Sequence, residues 1–86
     1  NVAPIGDGPY YALEIVMGDL GTFDGLATTT DGKVLDEAGV PIPGLFAVGN
    51  DRRSVMGGAY PGAGITLGPA LTFGYLTGKT ISAGSA

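Results

Sequence analysis

The sequence predicts an α/β fold, more narrowly an α+β fragment of short β-strands with a hairpin followed by one α-helix. Three observations carry that prediction. A short apolar strand, Leu45-Phe46-Ala47-Val48, ends in Gly49-Asn50 and runs into a glycine-dense loop. Asp31-Gly32, a strong hairpin signal, separates the alternating apolar and hydroxyl residues of Leu26 to Thr30 from Lys33-Val34-Leu35. From Thr66 onward, Leu67, Ala70, Leu71, Gly74 and Gly78 recur at helical spacing.

Taken in order, Pro9 to Met17 (PYYALEIVM) is rich in β-formers and reads as a strand that Gly18-Asp19 ends. Strand alternation sends Tyr10 and Tyr11 to opposite faces, with core packing the simpler role for each. Gly21 to Gly25 reads as a tight polar crossing. Asp36 to Pro43 holds Glu37-Ala38-Gly39 and two prolines, so a surface turn is expected before the Leu45–Val48 strand. Thr66 suits a helix N-cap, and Pro69 falls inside the first turn, where proline is tolerated. Gly78-Lys79 is expected to end the helix, and residues 82–86 read as a disordered tail. The small stripe of Ala70, Gly74 and Gly78 permits close helix-on-sheet packing. Asp7, Asp31, Asp36 and Glu37 read as turn or surface residues, and Arg52 and Arg53 as a solvated loop pairing with Asp51 or Asp24. No repeat and no domain boundary interrupts the chain.

Composition limits what this chain can do. A chain of 86 residues buries only about 60–65% of the surface its unfolded form exposes. Its 17 glycines and 6 prolines weigh against a self-sufficient core, and no cysteine offers a disulfide. It begins at Asn1 without a signal-like start and reads as a fragment or one subunit of a larger protein. The net charge of −4, with Arg52-Arg53 as the only adjacent basic pair, is the wrong balance for a nucleic-acid surface. Its apolar runs are too short to span a bilayer. Without His or Cys there is no Ser–His or Cys–His nucleophile system and no metal site to expect. Chemistry must use Tyr, carboxylates, backbone amides or a cofactor, and a cytoplasmic protein is the default expectation.

A strand, a glycine loop and a helix start together present backbone N–H groups to an anionic or electron-rich ligand. That order, from Gly44 to Gly74, resembles the last flavin-binding segment of the FAD-dependent family that includes fumarate reductases, succinate dehydrogenases and 3-ketosteroid dehydrogenases. Tyr60-Pro61-Gly62-Ala63-Gly64 is similar to the Tyr-x-Gly-x-Gly run of the 3-ketosteroid Δ1-dehydrogenases. Pro9-Tyr10-Tyr11-Ala12, Gly18-Asp19-Leu20-Gly21-Thr22, Ser54-Val55-Met56-Gly57 and the run Gly68 to Gly74 match the same branch. The likeness covers nearly the whole chain without long gaps.

The resemblance implies that residues 1–86 form the C-terminal piece of an FAD-binding, Rossmann-like domain of an oxidoreductase that desaturates a neutral ketone such as a 3-ketosteroid. It implies FAD contacts from Thr22, Gly49, Asn50, Asp51, Gly64, Ile65, Thr66 and Leu67, with the choice between Asn50 and Asp51 left open. Amides of Gly64 to Leu67 would meet the charge that reduction places on the flavin, helped by the positive end of the helix dipole. Glycines at 62 and 64 would let the backbone approach the ring without a clash. The Tyr60 hydroxyl and the Gly64 N–H would both bond the ketone oxygen, acidifying the neighbouring C–H. A base elsewhere in the complete enzyme would take the proton, and flavin N5 the hydride.

In fumarate reductases a His and an Arg hold the substrate carboxylates. Gly21 and Pro61 stand at those positions here, so a four-carbon dicarboxylate is not expected. The GxGxxG unit is missing, because Gly62-Ala63-Gly64-Ile65-Thr66-Leu67 fails at its last position. The fragment alone is therefore expected to be inactive. Its partners would be the rest of its own flavoprotein chain and a small ketone or steroid, with homo-oligomerisation left open. Two rivals stand beside this reading. One is a related FAD enzyme acting on another unsaturated ketone, including C4–C5 desaturation of 5α-steroids, for which Gly62 offers no hydroxyl. The other is a non-catalytic, self-associating β-rich domain.

Overall fold

The computed structural model describes residues 2–84. Its ordered centre is a two-stranded antiparallel sheet, β1 (Lys33–Leu35) against β2 (Pro41–Phe46), followed by a 3-10 turn at Gly49–Asp51 and helix α1 (Leu67–Ser82). This matches the expected composition of short strands, a hairpin and one helix.

Asp36 organises the tip between the strands. Its carboxylate accepts from the amides of Ala38 and Val40, each at 2.9 Å, which is the Asx chemistry that favours Asp in turns. The expected turn over Asp36 to Pro43 is shorter than its composition suggested. It closes by Val40, and Pro41 already belongs to β2. The strand expected at Leu45–Val48 correspondingly begins and ends earlier. Proline is tolerated because β2 is an edge strand, where a missing N–H costs no ladder bond. Ala47 leaves the strand yet still donates to the Gly32 carbonyl at 2.9 Å. Lys33 pairs with Phe46 and Leu35 with Pro41, with an irregularity between them.

The Asp31-Gly32 signal marks a real reversal. Gly32 N–H donates to the Thr29 carbonyl, and Thr28 bridges Val34 antiparallel. The Thr29 hydroxyl donates to the Asp31 carboxylate and, with Lys33 Nζ at 3.6 Å, holds that carboxyl below its ordinary range. Among the described residues, only Val34 and Ala47 are buried apolar side chains. The helix covers this centre from one side, and its buried Thr77 hydroxyl donates to the Asp31 carbonyl at 3.0 Å.

Two expectations are corrected. Pro9 to Met17 forms no strand and lies extended, with Tyr11, Leu13 and Ile15 about nine-tenths exposed. Its β-forming residues are suited to a ladder, but no strand among the described residues pairs with it. The helix does not stop at Gly78-Lys79; it runs on to Ser82 and closes at Ala83-Gly84, where Gly84 takes φ 73° and donates to the Ile81 carbonyl. Gly84 is thus the left-handed C-terminal glycine, and Gly78 is an ordinary helical position. Ser82 is helical, which shortens the expected tail; residues 85–86 lie outside the described residues.

Candidate functional site

Parallel pairing brings two distant turns together. Leu26 bridges Arg52, Leu26 N–H donates to Asp51 O at 3.0 Å, Arg53 N–H to Leu26 O at 2.9 Å and Ser54 N–H to Phe23 O at 2.9 Å. Gly25 permits this approach, because a Cβ there would stand 2.8 Å from the Asp51 carbonyl oxygen. Gly49 then presses on the first turns of α1, 3.5 Å from Ala70 Cβ measured from an ideal Cβ. The glycine crossing, the 3-10 turn and the helix start thereby converge on one cleft of about 240 Å³.

Thr22, Gly49, Asn50, Tyr60, Ile65 and Thr66 all line that cleft. Asp51, Gly64 and Leu67, the other expected site residues, do not. Asp51 instead contributes its carbonyl to the pairing with Leu26. Asn50 has its Nδ2 3.5 Å from the Leu20 carbonyl, and its amide fills the space over Gly21. A side chain at position 21 would begin 2.7 Å from that amide, so the Asn50 side chain would have to swing aside to admit one.

The helix start is open. Thr66 is the N-cap by position, but its side chain makes no capping bond and its backbone is already helical (φ −90°, ψ −51°). The first amide to find a backbone partner is that of Gly68, which donates to Gly64 O at 2.7 Å. Among the described residues, the amides of Gly64 to Leu67 donate to no backbone carbonyl. Of these, Ile65 and Thr66 also line the cleft, and open amides at a dipole terminus fit an electron-rich ring edge. Glycine at 64 answers a backbone requirement. A Cβ there meets no atom within 4 Å, but φ is 92°, a region that L side chains rarely adopt. Gly62 likewise has open space around it.

The arginine pair also departs from expectation. Arg53 is solvated and pairs with Asp24, Nε to Oδ1 at 3.7 Å. Arg52 is only 9% exposed. Its guanidinium carbon sits 3.6 Å from the Phe73 ring centroid, and burial pulls its pKa down from the ordinary value. Nε and Nη1 are buried without a hydrogen-bond partner. Both arginines line the cleft. Sequence reasoning missed this because adjacent arginines in a glycine loop carry no mark of burial; Phe73, one face of the helix away, was the only available hint.

This geometry is that of a nucleotide-cofactor flavoprotein segment, and the chain belongs to the FAD binding domain family, which matches residues 1–67. It is 56% identical over 82 residues to the 4-oxocyclohex-2-ene-1-carboxylate 5-dehydrogenase of Sinomonas cyclohexanicum, covering 95% of this chain and 14% of that protein. It is 52% identical over 75 residues to the 3-oxosteroid 1-dehydrogenase of Comamonas testosteroni, covering 87% of this chain and 13% of that one. Among solved structures, it resembles the 3-ketosteroid delta1-dehydrogenase of Sterolibacterium denitrificans in complex with 1,4-androstadiene-3,17-dione. That match has a TM-score of 0.72 at 57% identity and covers 78% of this chain and 12% of that one. The chain thus spans about one seventh of the length of the curated relatives it matches. Among the described residues no group of His, Cys, Asp or Glu could hold a metal ion, and no helix is long and apolar enough to cross a membrane.

Proposed function

We propose that this chain is part of an FAD-dependent dehydrogenase that desaturates a ring ketone beside its carbonyl. The observation that carries the reading is the convergence of Tyr60, the open start of α1 and the Thr22, Gly49 and Asn50 positions on one cleft, in a chain of the FAD binding domain family. The relatives' names fit it, since both the oxosteroid and the oxocyclohexane enzymes are dehydrogenases of ring ketones.

FAD, when bound, supplies the acceptor for a hydride taken from the carbon β to the ketone. This chain's residues prepare the substrate for that loss. The Tyr60 hydroxyl, in the cleft, and the Gly64 amide donate to the ketone oxygen and stabilise the enolate-like charge that develops there. The proton on the α-carbon becomes acidic and leaves to a base outside these 86 residues. Asn50 and the amides of Ile65 to Leu67 hold the cofactor, and Asn50 has both donor and acceptor atoms for a hydroxyl. Asp51 does not line the cleft, which favours Asn50 of the two.

Gly21 has no side chain and Pro61 offers no charge, so a four-carbon diacid finds no ligands at those two positions. Steady-state assays of the full-length enzyme with an artificial electron acceptor test the reading. Turnover of a 3-ketosteroid or a cyclohexanone derivative with none of succinate is the expected result. Succinate or fumarate turnover, or no flavin in the purified protein, would overturn it.

A further inference from the structure

We infer that Gly21 is a positioning residue for the cofactor: its missing side chain leaves the space in which the Asn50 amide sits to meet FAD. This role rests on the FAD-dependent reading above, in which Asn50 holds the cofactor. Two loops far apart in sequence meet closely here. An ideal Cβ at Gly21 would stand 2.7 Å from Asn50 Nδ2, 2.9 Å from Cγ and 2.9 Å from Oδ1. Such near-equal distances mean that the amide turns its face, not its edge, to the glycine. The backbone does not ask for glycine at this position. Unlike Gly32 or Gly64, Gly21 does not take a positive φ, so alanine would fit the chain's path and only the Asn50 side chain stands in its way.

Both residues line the cleft, and Asn50 is exposed. Its Nδ2 faces the Leu20 carbonyl at 3.5 Å, which leaves Oδ1 to accept from a cofactor hydroxyl. The backbone of Asn50 is fixed by the 3-10 turn over Gly49–Asp51, whereas its amide is the free end of a short side chain. A methyl group at position 21 is therefore admitted by rotation of that side chain, at little cost in stability, and the rotation carries Oδ1 away from the cofactor. Gly25, in the same crossing, is the opposite case. A Cβ there would meet the Asp51 carbonyl oxygen and the Arg52 carbonyl carbon, each at 2.8 Å, and paired backbone cannot rotate aside. Gly25 holds the fold, and Gly21 holds the orientation of Asn50.

The test is a double-mutant cycle on the full-length enzyme. FAD is titrated into the deflavinated wild type, Gly21→Ala, Asn50→Ala and the double variant, with Gly25→Ala as the structural control. Thermal unfolding of each deflavinated protein is recorded alongside. Gly21→Ala and Asn50→Ala should each raise the Kd for FAD by about three- to tenfold, the range of one neutral hydrogen bond. The double variant should bind within about twofold of Asn50→Ala, because position 21 acts only through that side chain. Gly21→Ala should melt with the wild type, and Gly25→Ala below it. An unchanged Kd in either single variant, or losses that simply add in the double variant, overturn the inference and leave the ring-ketone reading standing. A Gly21→Ala protein that is destabilised like Gly25→Ala, or fails to fold, also overturns it by making Gly21 a structural residue. A wild-type enzyme that binds no FAD defeats the flavoprotein reading itself, and the inference with it.

Discussion

Tyr60 and Gly64, the two donors proposed for one carbonyl, are placed by different means. Gly64 is set by backbone geometry, since a φ of 92° disfavours any side chain. Tyr60 is half-exposed and lines the cleft, so its packing contribution in this chain is small and its hydroxyl is the informative group. Tyr60→Phe in the full-length enzyme should therefore lower kcat by about 10²–10³, the usual cost of one oxyanion donor. Flavin content should be unchanged, because the phenyl ring is retained. A variant within about threefold of wild type, too small for a lost donor on that scale, would make Tyr60 a structural residue. The Tyr-x-Gly-x-Gly run singles out both residues in the sequence, and the structure puts Tyr60 on the cleft and leaves Gly64 out of its lining. The burial of Arg52 was not legible there. Burial of a charged side chain depends on which helix face arrives over it, and that is a property of tertiary packing.

At the scale of elements, a hydrogen bond ties the turn before β1 to the helix. Thr77 reaches across 46 residues to donate to Asp31 O, and Gly32 directly beneath it leaves room for the hydroxyl. An ideal Cβ at Gly32 would clash with Thr77 Oγ1, at a φ of 85° that already disfavours any side chain. Thr77→Val keeps the shape and loses the bond, so it should cost about 0.5–1.5 kcal/mol of stability in the full-length enzyme. Gly32→Ala should cost more, through both clash and strain. Thermal unfolding of the two variants checks the order, and a Gly32→Ala protein as stable as wild type would contradict the contact. The hairpin and the helix were readable from Asp31-Gly32 and the spacing after Thr66. The helix end was misplaced because glycine marks a C-terminus only where φ turns positive. Gly78 and Gly84 look alike in sequence, and Gly84 alone takes that conformation. The Pro9–Met17 strand failed for a different reason, since a strand is half of a pair and propensity cannot supply the other half.

The whole molecule is open. Its radius of gyration is 19.0 Å and its longest extent 61 Å, against a radius of about 12 Å for a compact domain of this length. Residues 2–20 are exposed throughout, including Leu13, Ile15, Val16 and Met17. Burying each such side chain is worth about 1.5–3 kcal/mol, so these residues are far more stable against a partner surface than in water. With Val34 and Ala47 as the only buried apolar residues among those described, the chain's own core cannot offset the entropy of ordering its loops. The cleft residues are then held in place chiefly by what packs around them in the complete enzyme. The isolated chain should accordingly bind FAD weakly or not at all, because its cleft loses that support and no GxGxxG helix start is present for the pyrophosphate. Titration of FAD into the purified 86-residue chain, followed by flavin fluorescence and by circular dichroism, measures both the affinity and any folding on binding. Little quenching and no gain of structure are expected. A stoichiometric complex of submicromolar affinity would show that the convergence of the glycine crossing, the 3-10 turn and the start of α1 is self-sufficient, and that the surrounding enzyme only adds to a site this chain already builds.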